Sequence, residues 1–121
     1  MRRILAPFLV LIALVGLVGC GLSMDRAEAV SSMNKGLEAL NSGSSLDAVR
    51  HLKEAGQIDP TYADPPYYLG QVYHRKLSEL DNAELWYREA LSRDGENPQI
   101  AYQLGTVLTD QEKWGESISY F

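Results

Sequence analysis

A single cysteine is the residue of this sequence that is best placed to do chemistry. Cys20 follows residues 4–18, an almost wholly apolar run without one charge, and Arg2 and Arg3 precede that run. As a helix, the run measures about 22 Å, which is short of the ~30 Å hydrocarbon core of a bilayer. The pattern is typical of a secretory signal segment, which would bring the thiol of Cys20 to a membrane surface. An uncleaved membrane anchor is the alternative that this length leaves open.

The four residues that end at this cysteine, Leu17-Val18-Gly19-Cys20, resemble the lipobox of bacterial lipoproteins. In that family, signal peptidase cuts just before the cysteine, whose thiol carries a diacylglyceryl group. The resemblance implies that residues 1–19 are a lipoprotein signal peptide and that residues 20–28 are the lipidated N-terminus and a short linker. Diacylglyceryl and acyl lipid on Cys20 would anchor the protein durably, because more than one chain is attached. An incidental thiol behind an ordinary signal is the alternative.

The residue after the cysteine indicates in which membrane the protein is located. Gly21 stands where, in the lipoprotein family, an Asp commonly retains the protein at the inner membrane. The resemblance therefore implies a lipid anchor in the bacterial cell membrane, and a place on the periplasmic side of the outer membrane if the organism has two membranes. Apart from the covalent lipid on Cys20, we expect no cofactor.

Neither the composition nor the motifs indicate an enzyme or a nucleic-acid binder. The 121 residues are 45% hydrophobic and 22% charged, as in a globular protein, and a net charge of -5 argues against binding to nucleic acid. His51 and His74 lie in different predicted helices, without a cysteine or clustered carboxylates at ligand spacing. The sequence contains no Gly-x-Ser-x-Gly, His-Glu-x-x-His or Gly-rich phosphate motif. We therefore expect no catalytic residue, no metal ligand and no small-molecule substrate.

An internal repeat of 34 or 35 residues runs through the rest of the chain. Small residues recur with this period, and so does a large apolar residue, as expected of stacked structural repeats. Within one period, apolar residues are spaced by three, four, seven and eight, which predicts amphipathic helices in pairs. The recurring positions are Gly36, Gly70 and Gly105; Ala48, Ala83 and Ser117; Leu52, Tyr87 and Phe121; and Ala55 and Ala90.

The packing and the starts of these helices can also be predicted. Small side chains at Gly70 and Ala83 would let the two helices of the second unit approach closely. A capping side chain before a proline predicts helix starts at Asp64-Pro65 and at Asn97-Pro98. Capping-box spacing marks two further pairs, Ser44 with Asp47 and Asp81 with Glu84.

Together these residues resemble the tetratricopeptide repeat (TPR) family, whose unit is a helical hairpin of 34 residues. The resemblance implies an all-α fold, a superhelical array of about two and two-thirds TPR hairpins after an N-terminal signal peptide. The repeats would span residues 29–62, 63–97 and 98–121, the third one being incomplete. Because residue 121 falls within the third unit, we expect the sequence to be a fragment of a longer protein; a partner that covers the open end is the alternative.

A TPR array presents a groove lined by the first helix of each hairpin. The resemblance implies that the outward positions of these helices form a peptide-binding groove, with two tyrosines about one repeat apart as its main contacts. Met33, Leu37 and Leu40 are expected to pack under an N-terminal segment. The predicted groove residues are Tyr67, Gln71, His74, Arg75, Tyr102 and Thr106, with Thr109 and Asp110 beside them.

The function that these features imply is that of a membrane-anchored TPR lipoprotein. Such a protein would act as an adaptor or scaffold in the assembly of a bacterial envelope machine, with other envelope proteins or their peptide segments as partners. The alternative is the N-terminal docking part of a longer enzyme or polysaccharide-export component. More repeats after residue 121 would favour the adaptor, and a new domain would favour the alternative.

Overall fold

A computed structural model describes residues 24–121 of the chain, so the predicted signal peptide, residues 1–19, and Cys20 lie outside the described residues. The described part is all-helical: it contains six α-helices and no strand. The last helix is followed by one 3₁₀ turn, Ile118–Tyr120. The helices are α1 (residues 24–41), α2 (Ser45–Ile58), α3 (Asp64–Arg75), α4 (Leu80–Arg93), α5 (Pro98–Asp110) and α6 (Trp114–Ser117).

The helices form three hairpins, α1/α2, α3/α4 and α5/α6, which pack side by side around one continuous core. Each of α2 to α5 contacts the next helix along the chain, both within a hairpin and between hairpins. Because the core runs through all three units, each hairpin buries apolar area that it could not bury alone. Its largest fully buried side chains are Leu52, Leu69, Val72, Tyr87, Leu104, Val107 and Leu108, with Pro65 and Pro66.

A glycine on the first helix of each hairpin makes room for a large side chain of the second helix. A Cβ atom added at Gly70 would lie 2.5 Å from Cδ1 of Tyr87, and one added at Gly36 would lie 2.9 Å from Cγ of Leu52. We expected Gly70 to be matched with the small Ala83; the structure shows that the ring of Tyr87 is the group that needs the space. In these two hairpins, the recurring glycine of the first helix therefore contacts the recurring large residue of the second helix.

The third hairpin repeats the same contact. A Cβ atom added at Gly105 would lie 2.9 Å from two ring atoms of Phe121. Phe121 differs from Leu52 and Tyr87 in being 66% exposed, whereas those two are fully buried.

Of the predicted helix starts, the one at Asn97 is confirmed in full. Its side chain accepts hydrogen bonds from the backbone N–H of Gln99 at 3.0 Å and of Ile100 at 3.4 Å. Ser44 is the residue that precedes α2, but its hydroxyl donates to the Asp47 carboxylate at 2.8 Å instead of capping the backbone. This second start is therefore correct in position only.

Two predicted caps are wrong. Asp64 lies inside α3 as its first residue, because the two prolines that follow extend the helix one residue further back than expected. Helix α4 begins at Leu80, so Asp81 lies within its first turn. The Asp81 carboxylate accepts a hydrogen bond from Gln111 at 2.7 Å, and Glu84 pairs with cationic side chains. Both carboxylates are used for contacts between hairpins.

The turn inside each hairpin contains one residue in the left-handed conformation. These residues are Gly43, Ser78 and Glu112, with φ angles of 82°, 54° and 63°. They recur with the period of the repeat, so the turn geometry is a property of the hairpin. Only the first turn uses glycine, the residue that adopts this conformation without steric cost.

Helix α1 begins earlier than expected, because residues 24–28, predicted to belong to a linker, are helical. Arg26 on this first part of the helix donates to the Asp59 carboxylate at 2.5 Å and lies 4.2 Å above the ring centre of Tyr62. Asp59 also accepts from the backbone N–H of Thr61 at 3.0 Å and from its hydroxyl at 2.7 Å. The hydrogen bonds from Thr61 and Arg26 lower the pKa of Asp59 below its ordinary value.

The same junction between the first two hairpins is held from the other side by Arg93 on α4. Its Nη1 donates to the backbone carbonyls of Gly56 at 3.1 Å and Tyr62 at 3.0 Å, and more weakly to that of Asp59 at 3.4 Å. Its Nε pairs with Glu89 at 3.0 Å. One guanidinium therefore binds carbonyl groups both in the last turn of α2 and in the loop that follows it.

An ion cluster fixes α6 against α4. Arg88 pairs with Glu84 at 3.0 Å and with Glu116, and it donates to the Tyr120 hydroxyl at 3.2 Å. The hydrogen bond from Arg88 to Glu116 raises the pKa of Arg88 above its ordinary value. Burial alone would raise the pKa of Glu84, but the hydrogen bonds from Lys113 and Arg88 outweigh burial and lower it.

Replacing Gly70 by alanine should destabilise the protein. The added methyl group would overlap the buried ring of Tyr87, and overpacking of this kind costs about 1–3 kcal/mol. Gly56→Ala is the matched control, because its added Cβ would have no neighbour closer than 3.6 Å. We expect the control to be neutral or to gain up to about 1 kcal/mol from helix propensity. Urea denaturation followed by circular dichroism measures both, and equal effects would contradict the assignment.

Ser78→Gly should stabilise the protein by about 1 kcal/mol, because glycine removes the steric cost of a positive φ angle. Gly43→Ala should have the opposite effect in the equivalent turn, where there is space for the methyl group but the φ angle is 82°. Thermal unfolding of the two variants measures the difference. If both variants shifted the melting temperature in the same direction, the left-handed conformation would not explain which residue is found in these turns.

Asp59→Asn should cost about 1 kcal/mol at neutral pH, because the charge-assisted hydrogen bond with Arg26 is lost. Since the folded-state pKa is lowered, the contribution of the carboxylate is complete above its ordinary pKa of 3.8 and is lost as pH falls through the folded-state value. The stabilities of wild type and variant should therefore converge in acid. A difference that stays constant between pH 6 and 2 would contradict this role.

Candidate functional site

The predicted groove residues lie on α3 and α5, and Tyr67 is more buried than expected. Its side chain is only 9% exposed, because its ring packs against Tyr68 and Tyr87 at centroid distances of 5.6 Å and 5.9 Å. Its hydroxyl accepts a hydrogen bond from Nε2 of Gln71 at 2.9 Å. Tyr67 therefore forms part of a wall and does not stand free to flank a peptide.

His74 joins two hairpins. Its Nε2 lies 2.6 Å from a carboxylate oxygen of Asp110, so the end of α3 is tied to the end of α5. The His74 side chain is 13% exposed and that of Asp110 is 46% exposed. His74 is therefore already engaged by a neighbouring repeat, and we assign it a bracing role at the edge of the face.

The two groove residues predicted on α5 differ in what they offer. The side chain of Tyr102 is 58% exposed, and its ring meets that of Phe121 edge-on at 5.6 Å. The hydroxyl of Thr106 donates to the backbone carbonyl of Tyr102 at 2.9 Å, and that of Thr109 donates to Gly105 at 2.9 Å. Tyr102 is thus available to a partner, whereas both threonine hydroxyls donate within their own helix.

Two clefts open on the surface formed by the first helices. The first cleft, about 160 Å³, combines the predicted residues Gln71 and Arg75 with residues that we had not placed there. The added members are Leu40, Val72 and Lys76. Arg75 and Lys76 are exposed, which gives this cleft a positive rim over an apolar base. We call it the cationic cleft.

The second cleft, about 250 Å³, lies between α3 and α5. Tyr67 and Tyr68 line it from α3, and Gln99 and Ile100 line it from α5. Asp64 adds a negative charge at its edge. We call it the tyrosine cleft.

Two of the three apolar residues of α1 pack into or against the core, and the N-terminal segment under which all three were expected to pack lies outside the described residues. Met33 is 7% exposed and belongs to the main core, and Leu40 packs against that core while also lining the cationic cleft. Leu37 is half-buried. Lys76 was not included among the predicted groove residues, because it lies after the predicted helix. Its positive charge next to Arg75 is the signal that could have indicated it.

Among residues 24–121, no group of three or more His, Cys, Asp or Glu side chains could hold a metal ion. Within the same residues, no helix is long and apolar enough to cross a membrane.

Comparisons with known proteins agree with this architecture. No family model matches the chain. The second TPR domain of Spaghetti (RPAP3), solved with an HSP90 peptide bound, superposes with a TM-score of 0.74 at 21% identity, over 81% of this chain and 90% of that chain. The chain has the tetratricopeptide-repeat fold, as the sequence predicted.

One curated relative is a bacterial protein. The chain is 32% identical over 119 residues to the type IV pilus assembly protein PilF of Pseudomonas aeruginosa. The match covers 90% of this chain and 47% of PilF, so the chain spans about half the length of that relative. A solved structure of Pseudomonas aeruginosa pilF superposes with a TM-score of 0.66 at 30% identity, over 78% of this chain and 43% of that one.

A double-mutant cycle on His74→Ala and Asp110→Ala should give a coupling free energy of roughly 0.5–1 kcal/mol, since one partner is nearly half exposed. The control cycle uses His51→Ala and Glu54→Ala, where Nδ1 of His51 lies 3.7 Å from a carboxylate oxygen of Glu54. It should give a coupling near zero. Equal coupling in both cycles would contradict the role of His74 as a brace between hairpins.

Proposed function

We propose that this protein is a lipid-anchored adaptor that binds segments of other envelope proteins and assists the assembly of a type IV pilus or a related envelope machine. The observation that carries the binding part is the cationic cleft, in which Arg75 and Lys76 border an apolar base. The similarity to the pilus assembly protein of Pseudomonas aeruginosa supports the choice of process. No catalytic role is proposed.

The structure supports a specific mode of binding. An extended segment could place an apolar side chain over Leu40 and Val72 and an acidic group near Arg75. Tyr102, 58% exposed on the neighbouring hairpin, offers a broad rigid surface that loses little conformational entropy on binding. Because α3 is tied to α5 through His74 and Asp110, the surface needs little reordering when a partner binds.

The lipid anchor is the second element of the proposal. Cys20, directly after Leu17-Val18-Gly19, would carry the diacylglyceryl and acyl lipid after residues 1–19 are removed. Attachment would confine the array to the membrane surface and so raise its local concentration near membrane-bound partners. The placement at the outer membrane rests on Gly21.

The binding surface can be tested in the native bacterium by replacing Arg75 and Tyr102 together by alanine. If these residues hold a partner, sheared surface pili should fall by about tenfold or more, corresponding to the loss of over 1.4 kcal/mol of binding. Leu85→Ala is the matched control, because Leu85 is 60% exposed but lies on α4. Normal piliation in the double variant, at unchanged protein level, would contradict the surface; normal piliation after deletion of the gene would contradict the process.

The anchor is tested by the intact mass of the protein extracted from native membranes. We expect a chain that begins at Cys20 and carries acyl chains, and we expect Cys20→Ala to leave the membrane fraction. A mass that retains residues 1–19 would contradict the lipoprotein assignment.

A further inference from the structure

A separate pocket of about 280 Å³ lies between α2, α3 and α4 and shares no residue with the two clefts. Pro66 and Leu69 are among its lining residues, and both are fully buried. The half-buried indole of Trp86 lines it from α4. The pocket therefore has a floor that is closed by buried apolar side chains and one aromatic wall that a ligand can contact.

Its mouth is rich in hydrogen-bond donors. Nζ of Lys53 lies 5.9 Å from the ring centre of Trp86, and among the described residues Lys53 takes part in no ion pair. Gln57 is also among the lining residues. Arg93 uses Nε and Nη1 for Glu89 and the carbonyls of the α2–α3 junction, which leaves Nη2 outside these bonds. An apolar pocket with cationic donors at its mouth is complementary to an apolar group next to a carboxylate.

The pocket is particular to this junction of the array. Gly56, which lines the pocket without a side chain, is replaced 35 residues later by Leu91, whose side chain packs against the core. Trp86 corresponds 34 residues later to Tyr120, and both side chains pack against the core. The difference in bulk therefore lies at the position of Gly56, where the second junction carries a leucine.

The two junctions also differ in whether the cation at the mouth of the pocket is paired. The position of Lys53 is taken 35 residues later by Arg88. Arg88 is neutralised by ion pairs with Glu84 and Glu116, whereas Lys53 has no such partner in the described part of the chain. Of the two junctions within residues 24–121, the first combines the pocket with a cation that has no ion-pair partner among these residues.

We propose that this pocket is a second docking site, which binds a peptide segment of a partner protein through one large apolar side chain adjacent to an acidic residue. Pockets for drug-sized ligands usually have volumes of about 300–1,000 Å³. A volume of about 280 Å³ lies just below that range and suits a single inserted side chain. The acidic neighbour would pair with Lys53 at the mouth. The site is independent of the proposed cationic cleft, so a partner could use both at once.

The test uses the full chain, labelled with ¹⁵N, and the unlabelled peptide acetyl-Gly-Ser-Phe-Glu-Ser-Gly-amide, titrated by NMR. We expect saturable shifts at the backbone of Gly56 and at the indole N–H of Trp86, with a dissociation constant below about 1 mM. Peptides with Gln in place of Glu, or Ala in place of Phe, should bind at least about threefold and tenfold more weakly, respectively.

Protein variants then assign the contacts. Lys53→Gln keeps most of the side chain and should weaken binding about threefold or more, while Lys35→Gln, at an exposed lysine of α1, should have no effect. Trp86→Ala should weaken binding about tenfold or more, and a circular dichroism spectrum checks that it folds. Arg75→Ala should leave this binding unchanged, which separates the pocket from the cationic cleft.

Three outcomes would overturn the proposal. The first is the absence of binding at about 1 mM peptide, and the second is binding that is indifferent to both Lys53→Gln and the Gln-for-Glu peptide. The third is phenylacetate binding at the same signals as tightly as the peptide, which would identify a small-molecule site instead. All three outcomes are read at the signals of Gly56 and Trp86, so they test this pocket, and the pilus assay tests the cationic cleft.

Discussion

The described structure depends on one contact that is made three times, between a glycine of the first helix and a large side chain of the second helix in each hairpin. The pairs are Gly36 with Leu52, Gly70 with Tyr87 and Gly105 with Phe121. Without a Cβ at the glycine, the two helices can approach while the large side chain fills the space between them. The partners in the first two hairpins are fully buried, so this contact also builds the core against which the next hairpin packs. The spacing and direction of the first helices, and hence of both clefts, follow from it.

Helix α3 contributes to both clefts and is held at its two ends by polar contacts. Before its start, Arg93 binds the carbonyls of the α2–α3 junction and Arg26 pairs with the buried Asp59. At its end, His74 is tied to Asp110 of the next hairpin. A buried carboxylate requires such partners, since an unpaired one would be strongly destabilising. The result is a surface whose side chains are positioned before a partner arrives, so less entropy is lost on binding.

The repeat and the helix pairs could be predicted because small and large residues recur at a fixed period, a signal that does not depend on contacts distant in sequence. Asn97 was predictable as a cap for the same reason, since its effect is local. Asp81 and Glu84 were predicted wrongly because carboxylates near a helix start can serve either the backbone or another hairpin, and here contacts with Gln111 and Lys113 prevail. The burial of Tyr67 could not be predicted either, because it depends on how the ring of Tyr87 crosses between α3 and α4. The position of a residue in the repeat predicts the face of the helix on which it lies. How deeply its side chain is buried depends on the residues that pack against it.

In each hairpin, the large side chain of the second helix, and not close approach of the helices alone, requires glycine on the first helix. The free energies of unfolding of Gly36→Ala, Gly70→Ala and Gly105→Ala, measured side by side, test this requirement. The added methyl group would meet the rigid, buried ring of Tyr87 at 2.5 Å, the buried but more flexible Leu52 at 2.9 Å and the exposed ring of Phe121 at 2.9 Å. We expect the loss of stability to be largest at Gly70, intermediate at Gly36 and smallest at Gly105, where Phe121 can move into solvent. Equal losses at all three positions, or the largest loss at Gly105, would contradict the account.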